Sequence, residues 1–250
     1  MRMRCALIVL GALAASFATG VVADEVRVLS AAAVQVPMTE AAAQFTRDTG
    51  HRVAFEFATA GQVDEKLTAG ARPDIVINGS GRIAARISAR AVNDAWFRDL
   101  GTVRIGVAVR KGAARPDLSS VAKFREALLR ADSVAYGDPA RGATTGIHFS
   151  RIVDQLDLRG ALASRTLLAA NGLDVVQKVA RGEAELGITQ VSEILHIDPT
   201  AYAGPLPDAL QLATTYTAWV PDAANVTARM FVEAMTSERG RERFHAAGFD

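Results

Sequence analysis

The 250-residue sequence has a single cysteine, Cys5, and it lies in an apolar segment near the N-terminus. The four histidines show no metal-ligand spacing, and neither His-Glu-x-x-His nor Gly-x-Ser-x-Gly occurs. These absences argue against zinc proteases and hydrolases with a nucleophilic serine. We therefore predict no metal site and, if the N-terminal segment is removed, no disulfide.

The chain also has only one long apolar run, which extends from Cys5 to about Gly20 after the basic start Met1-Arg-Met-Arg4. This pattern, followed by Val21-Val-Ala23, predicts a secretory signal peptide over residues 1–23. We expect cleavage after Ala23, with Ala18 as a second possibility, and a periplasmic location. Removal would take two of the 28 basic residues and leave the 27 acidic ones. A near-neutral chain argues against a nucleic-acid partner.

Alternating apolar runs and helical patterns predict an α/β chain with mainly parallel sheets. The expected strands are 25–29, 51–57, 74–77, 103–109, 133–136, 165–169, 186–190 and further strands within 210–220. The expected helices are 37–49, 62–69, 82–90, 120–130, 147–156, 171–180, 225–235 and 240–247.

In such sheets a ligand binds at the carboxyl ends of the strands. The segments there are Ser30–Ala33, Thr59–Gly61, Asn78–Gly81, Thr144–Gly146, Asn171–Gly172 and Gln190. They are rich in small residues, hydroxyls and amides, which let a ligand approach backbone N–H groups closely. Thr144 and Thr145 are expected to cap the helix at Ile147 or to contact a ligand. An ordinary capped loop is the other interpretation.

Three further features have a functional and a purely structural interpretation. Gly79-Ser-Gly81 resembles a dinucleotide fingerprint, but it follows the third strand and lacks the acidic residue expected further on, so we predict no nucleotide cofactor. His148 either faces the cleft, where it binds an anion or moves a proton, or is a surface residue. Arg104 and Arg141 either bind a carboxylate or point into solvent.

The chain resembles the type II periplasmic solute-binding proteins, and within them the molybdate-binding, ModA-like family. The resemblance covers nearly all of the sequence after residue 23. It rests on Val28-Leu-Ser-Ala-Ala-Ala33, Phe57-Ala-Thr-Ala-Gly61, Tyr136-Gly-Asp-Pro139, Thr145-Gly-Ile147 and Gly182-Glu-Ala-Glu-Leu-Gly-Ile188.

The family resemblance implies two α/β lobes joined by two crossover strands, with the ligand buried between them by hinge closure. It places the first lobe at 24–104 plus 214–250 and the second at 105–213. Backbone N–H groups and hydroxyls, not countercharges, would hold a small anion. The positions that match the family's ligand contacts are Ala33, Ala60, Thr145, Gly172 and Gln190, and we add Ser30, Ala32, Thr59, Thr144 and Asn171 as neighbouring candidates.

The sequence departs from the molybdate binders at three of these positions. Ala33 and Ala60 replace serines and Gln190 replaces a tyrosine, so three hydroxyl donors are missing together. We therefore predict a monomeric binding protein that captures an organic carboxylate, rather than molybdate, for an ABC-type importer. Two other functions stay open: a molybdate or tungstate receptor, and an enzyme similar to the aconitate isomerase branch, with His148 as its proton-transfer residue.

Overall fold

The computed structural model describes residues 24–89 and 95–250, so the predicted signal peptide lies outside the described residues. Its strands are β1 (Glu25–Ala31), β2 (Arg52–Ala58), β3 (Ile75–Gly79), β4 (Trp96–Val109), β5 (Val134–Gly137), β6 (Thr166–Ala169), β7 (Leu186–Gln190), β8 (Tyr202–Pro205) and β9 (Ala213–Val220). Its helices are α1 (Gln35–Thr49), α2 (Ala60–Thr68), α3 (Ser80–Ala89), α4 (Val121–Arg130), α5 (Thr144–Gln155), α6 (Arg159–Leu162), α7 (Gly172–Ala180), α8 (Val191–Ile197), α9 (Val226–Thr236) and α10 (Glu238–Ala246).

The strands form two sheets that share β4. The first has the order β2-β1-β3-β9-β4, and the second has the order β4-β7-β5-β6, with β8 also pairing with β4. β1 runs parallel to β2 and β3, and β5 runs parallel to β6 and β7. β4 and β9 run antiparallel to their neighbours. The predicted α/β class is confirmed, with the parallel strands in the outer part of each sheet and the antiparallel strands β9 and β4 between them.

β4 changes partners in the middle of its length. Arg104 pairs with Ala213 of β9, and the next residue, Ile105, pairs with Gln190 of β7. A 14-residue strand thus runs from one sheet into the other. The lobe boundaries given above remain a prediction. The change of partner falls between Arg104 and Ile105, at the first predicted boundary.

Each sheet has its own buried core. In the first, Met38 of α1 and Phe231 of α9 pack against β1 and β3 and are fully buried. In the second, Phe124 of α4 and Phe149 of α5 pack edge to face, with ring centroids 6.5 Å apart. Apolar burial on this scale holds the strand ends in fixed positions, so the loops that follow them are presented by rigid elements.

Several predicted boundaries were wrong. β4 begins at Trp96, well before the predicted start at 103, because Leu100 and Val103 are both buried in the first core. β8 was not predicted, since it lies in a proline-rich stretch. The predicted turn over Thr59–Gly61 is instead the beginning of α2, and α5 begins at Thr144 rather than Ile147. Among the residues described, no helix combines the length and apolar character needed to cross a membrane.

Candidate functional site

The ends of the strands surround a small cavity between the two sheets. Nine of the predicted site residues line it: Ala32, Ala33, Thr59, Ala60, Thr144, Thr145, Asn171, Gly172 and Gln190. Five residues that were not predicted complete the lining: Ala31, Ala58, Ala143, Glu193 and Tyr216. The cavity leaves about 40 Å³ for the centres of water-sized molecules. That volume suits a small ion, and a larger ligand requires the two sheets to move apart.

Three helices of at least nine residues begin at this cavity. The residues just before α2, α5 and α7 are Thr59, Ala143 and Asn171, and all three line the cavity. The first N–H groups of a helix have no partner within it, and its N-terminal end carries a partial positive charge. Three such ends directed at one small space make it attractive to an anion without any cationic side chain.

Thr144 and Thr145 do not cap α5, which removes the first of their two predicted roles and leaves contact with a ligand. The cap position is occupied by Ala143, which has no side-chain acceptor, and both threonines lie inside the first turn. Among the described residues, neither hydroxyl takes part in a hydrogen bond. Both residues line the cavity, and their hydroxyls are not engaged by other described residues.

Contacts between the first and second sheets close one side of the cavity. The Thr59 hydroxyl donates to the Arg141 carbonyl, and the Gly61 N–H donates to the Gly142 carbonyl at 3.1 Å. A Cβ on Gly61 would lie 2.6 Å from the Gly142 Cα, closer than real Cβ contacts come. Only glycine permits this approach, and the chain has glycine on both sides of it.

A further contact between the two sheets comes from Ser192 of α8, whose hydroxyl donates to the carbonyl of Ala33, a lining residue, at 3.0 Å. Ser192 and Ala33 are both buried. Hydrogen bonds from two places thus join the two sheets at the cavity, as expected of a closed binding cleft.

A buried carboxyl group, Glu193, forms part of the cavity wall. It follows Gln190 by one helical turn and is 6% exposed. Its Oε2 atom accepts hydrogen bonds from the Thr189 hydroxyl and from the Gln190 N–H, the latter at 3.3 Å. Burial raises the pKa of Glu193 from 4.5 to about 7, because the charged form loses its hydration. An acid in an anion-attracting cavity is the least expected feature of the site.

Gln190 and Tyr216 pair with each other on another part of the wall. The Gln190 Nε2 atom lies 2.9 Å from the Tyr216 hydroxyl oxygen, which lies 3.1 Å from Gln190 Oε1. Burial, and then the nearby Glu193 carboxyl, raise the pKa of the Tyr216 hydroxyl. The phenol is therefore neutral, and much of the Gln190 amide's hydrogen-bonding capacity is already used within the protein.

The two predicted cations do not reach the cavity. Arg104 lies on β4 between the buried residues Val103 and Ile105, so strand alternation points its side chain outward, where Nη1 lies 3.8 Å from Asp208. Arg141 is exposed, and it contributes its backbone carbonyl to the Thr59 contact. The structure thus corrects the expectation that an arginine fork lines the site.

His148 and Ser30 are also directed elsewhere. His148 lies in the second turn of α5, because that helix begins at Thr144, and its Nε2 atom lies 2.8 Å from the Leu210 carbonyl. Ser30 is fully buried, and its hydroxyl donates to the Ala31 carbonyl at 3.0 Å. Neither residue lines the cavity, so the predicted role of His148 at the site is corrected as well.

The sequence carries different signals for the lining residues that were not predicted. Ala31, Ala58 and Ala143 are neighbours of predicted residues and were missed by one position. Glu193 follows a strand end by three residues, a spacing normally interpreted as helix capping. Tyr216 comes from the distant strand β9, and no local pattern placed it here. Among the described residues there is no group of three or more potential metal ligands.

A two-sheet α/β protein with an anion-attracting cavity between its sheets is the architecture of a solute-binding protein. A family model described as bacterial extracellular solute-binding protein matches residues 26–250, and the chain belongs to this family. The predicted type II, ModA-like fold is confirmed by a solved structure, the periplasmic molybdate-binding protein of Azotobacter vinelandii. Its TM-score is 0.71 at 18% identity, covering 90% of this chain and 98% of that one.

Two curated relatives carry names from different functional classes. An aconitate isomerase from Pseudomonas sp. is 31% identical over 197 residues, which is 76% of this chain and 72% of the relative. The molybdate-binding protein ModA of Escherichia coli (strain K12) is 24% identical over 243 residues, 95% of this chain and 94% of that one. These relatives support the family, but their names point to different ligands, so they do not identify the ligand of this chain.

Proposed function

We propose that this chain is a periplasmic solute-binding protein that captures a small organic carboxylate in the cavity and delivers it to an ABC-type importer. The observation that carries the proposal is the convergence of the beginnings of α2, α5 and α7 on one buried space. Some first-turn N–H groups are already used: Gly61 donates to Gly142, Gln62 to Thr59 and Asp174 to Asn171. The remaining first-turn N–H groups of the three helices, with the Thr144 and Thr145 hydroxyls, supply hydrogen-bond donors for an anion that must also be released.

The number of donors favours a carboxylate over molybdate. One carboxylate group held in the cavity has two oxygens to satisfy there, whereas a tetrahedral oxyanion has four. The other carboxylate groups of a di- or tricarboxylate require the two sheets to move apart, because the cavity has room for a small ion. Ala33 and Ala60 offer methyl groups, and the Gln190 amide is paired with Tyr216. Each buried acceptor left without a donor costs about 1–3 kcal/mol, so a tetraoxyanion would be bound weakly.

A panel of anions tests this proposal. We expect the unfolding temperature of the mature protein to rise with one or more of succinate, citrate, cis-aconitate and trans-aconitate, and to change little with molybdate, tungstate or sulfate. A ligand present at 100 times its Kd adds about 2.7 kcal/mol to the free energy of unfolding. A rise with molybdate or tungstate alone would contradict the carboxylate.

A variant pair locates the binding. Thr145→Val removes a cavity hydroxyl, and we expect it to lower affinity about 5- to 150-fold, the equivalent of about 1–3 kcal/mol. Thr46→Val is the control, since Thr46 is half-buried on α1 and its hydroxyl takes part in no hydrogen bond among the described residues. Equal affinity in both variants would show that the anion does not bind in the cavity.

The second candidate function is an isomerase of the aconitate type, favoured by the 31% identity to the Pseudomonas sp. relative. His148 does not line the cavity and cannot be the proton-transfer residue of such an enzyme. Glu193 lines the cavity and is the candidate in its place. The purified protein is incubated with trans-aconitate and the mixture is separated by chromatography. Formation of cis-aconitate would establish the enzyme; its absence, together with a thermal shift, would establish binding alone.

The location and partners belong to the same proposal. Membership of an extracellular solute-binding family supports export, for which we propose removal of residues 1–23. Mass spectrometry of the exported protein should then show an N-terminus at Asp24. We also propose a monomer, which light scattering on the purified protein can test, and docking to importer membrane subunits.

A further inference from the structure

The carboxyl group of Glu193 occupies a position that an anion-binding cavity would be expected to avoid. It is almost fully buried and lines the cavity together with the donors of α5 and α7. Its Oε2 atom accepts two hydrogen bonds, whereas Oε1 accepts none among the described residues. The carboxyl therefore has one oxygen held by the protein and one left for the cavity.

The contact with Gly172 fixes this arrangement. A Cβ built on Gly172 would lie 1.9 Å from Glu193 Oε2 and 2.3 Å from Oε1. The carboxyl thus lies against the backbone at the first residue of α7, where the helix dipole places a partial positive charge. An ionised carboxylate here would compete with an anion for the same donors and would repel it at short range.

Few ionisable groups surround Glu193. Tyr216 of β9 interacts with it electrostatically, and both hydrogen bonds to its carboxyl come from β7. The other ionisable groups on elements packed against α8 are Arg98, Asp99 and Arg104 of β4, Asp174 and Lys178 of α7, and Tyr202 of β8, with His196 on α8 itself. Among the described residues, none of these pairs with Glu193, so no countercharge stabilises an ionised carboxylate.

We propose that Glu193 makes anion capture proton-linked: the anion binds when Glu193 is a neutral acid that donates a hydrogen bond from Oε1 to an anion oxygen. This inference rests on the proposed function, because it requires the cavity to be the anion site. The neutral acid adds a donor to a cavity that lacks serine at positions 33 and 60. The raised pKa of the buried carboxyl, about 7, agrees with a neutral acid in weakly acidic surroundings.

The proposal predicts that the affinity for the anion depends on pH through the protonation of Glu193, and not only through that of the ligand. Below the pKa of the carboxyl group, the acid is already protonated and affinity is constant. Above it, binding must take up a proton, and affinity falls by up to tenfold per pH unit. Glu193→Gln supplies a permanent neutral donor of similar shape, so its affinity should not follow this dependence.

The test measures the Kd for trans-aconitate and for citrate from pH 5.5 to 8.5, for wild type, Glu193→Gln and Glu65→Gln. The ratio of wild-type to variant Kd cancels any titration of the ligands themselves. We expect the ratio of wild type to Glu193→Gln to be near 1 at pH 5.5 and to rise at least tenfold by pH 8.5. Glu65 is exposed on α2, so Glu65→Gln should follow wild type.

A second measurement does not depend on any variant. Calorimetric titration of wild type in two buffers with different ionisation enthalpies should show uptake of about one proton at pH 8.5 and almost none at pH 5.5. A constant Kd ratio with no proton uptake would overturn the role of Glu193 and leave anion capture standing. If neither probe binds wild type at any pH, while Glu193→Gln also binds neither, anion capture by this cavity falls and the inference falls with it.

Discussion

The carboxyl group of Glu193 lies against the backbone of Gly172, so closely that a Cβ on Gly172 would lie 1.9 Å from Oε2. The contact joins α8 to the first residue of α7, and both residues line the cavity. A side chain of any size at position 172 would displace the acid from its position. The glycine that the family resemblance marks as a ligand contact is thus also the one that makes room for Glu193.

Gly172→Ala should therefore destabilise the protein and weaken anion binding. Overpacking in a buried site costs about 1–3 kcal/mol, which urea unfolding can measure. Gly160→Ala is the matched control, because Gly160 lies in the short helix α6 and an added Cβ meets nothing within 4 Å. Equal stability of both variants would show that the Glu193 carboxyl is not held against α7.

Gly61→Ala should weaken anion binding without lowering the stability of the ligand-free protein. The added Cβ would lie 2.6 Å from Gly142 Cα and would hold the two sides of the cavity apart, while alanine favours the helix α2. We expect affinity to fall about tenfold, the equivalent of about 1.4 kcal/mol, and the unfolding midpoint to stay or rise. Unchanged affinity would mean that closure at this contact is not required for binding.

The ligand-free protein should lose stability as the pH rises from 4.5 to 7. In this window the unfolded chain releases the Glu193 proton, whereas the folded protein retains it, because burial raises the folded pKa to about 7. The loss is on the order of 1–3 kcal/mol. Urea unfolding at several pH values should show a smaller decline for Glu193→Gln than for wild type and for Glu65→Gln. Parallel curves for all three proteins would contradict a neutral, buried acid.

Tyr216→Phe should cost about 1–2 kcal/mol of stability, because it leaves the buried Gln190 amide without its partner hydroxyl. Tyr202→Phe is the control, since the Tyr202 hydroxyl takes part in no hydrogen bond among the described residues. Denaturant unfolding should therefore give a lower free energy of unfolding for Tyr216→Phe than for Tyr202→Phe. A smaller loss for Tyr216→Phe than for Tyr202→Phe would show that the pair does not stabilise the fold.

The strand ends could be predicted from the sequence, because an alternating apolar pattern marks each strand and small or polar residues follow it. Ala32, Ala33, Thr59, Ala60, Asn171 and Gly172 follow strands whose apolar pattern is clear, and parallel strands bring such ends to one edge. Side-chain direction was not predictable to the same degree. A shift of three residues in the start of α5 moved His148 into the second turn, and one step of alternation on β4 turned Arg104 outward.

The two most informative residues of the cavity could not be found from local sequence. Glu193 looks like a capping residue of α8, and its proximity to Gly172 depends on how α7 and α8 pack. Tyr216 reaches Gln190 through the pairing of β9 with β3 and β4 in the other sheet. Contacts of this kind arise from tertiary packing between segments that are distant in sequence.

Calorimetric titration of the mature protein with trans-aconitate, succinate and molybdate at pH 6 tests the central claim most directly. The account predicts saturable, one-to-one binding of at least one of the carboxylates, with an affinity at least tenfold above that for molybdate. It also predicts an affinity about 5- to 150-fold weaker in Thr145→Val and unchanged in Thr46→Val. Tighter binding of molybdate than of either carboxylate would contradict it.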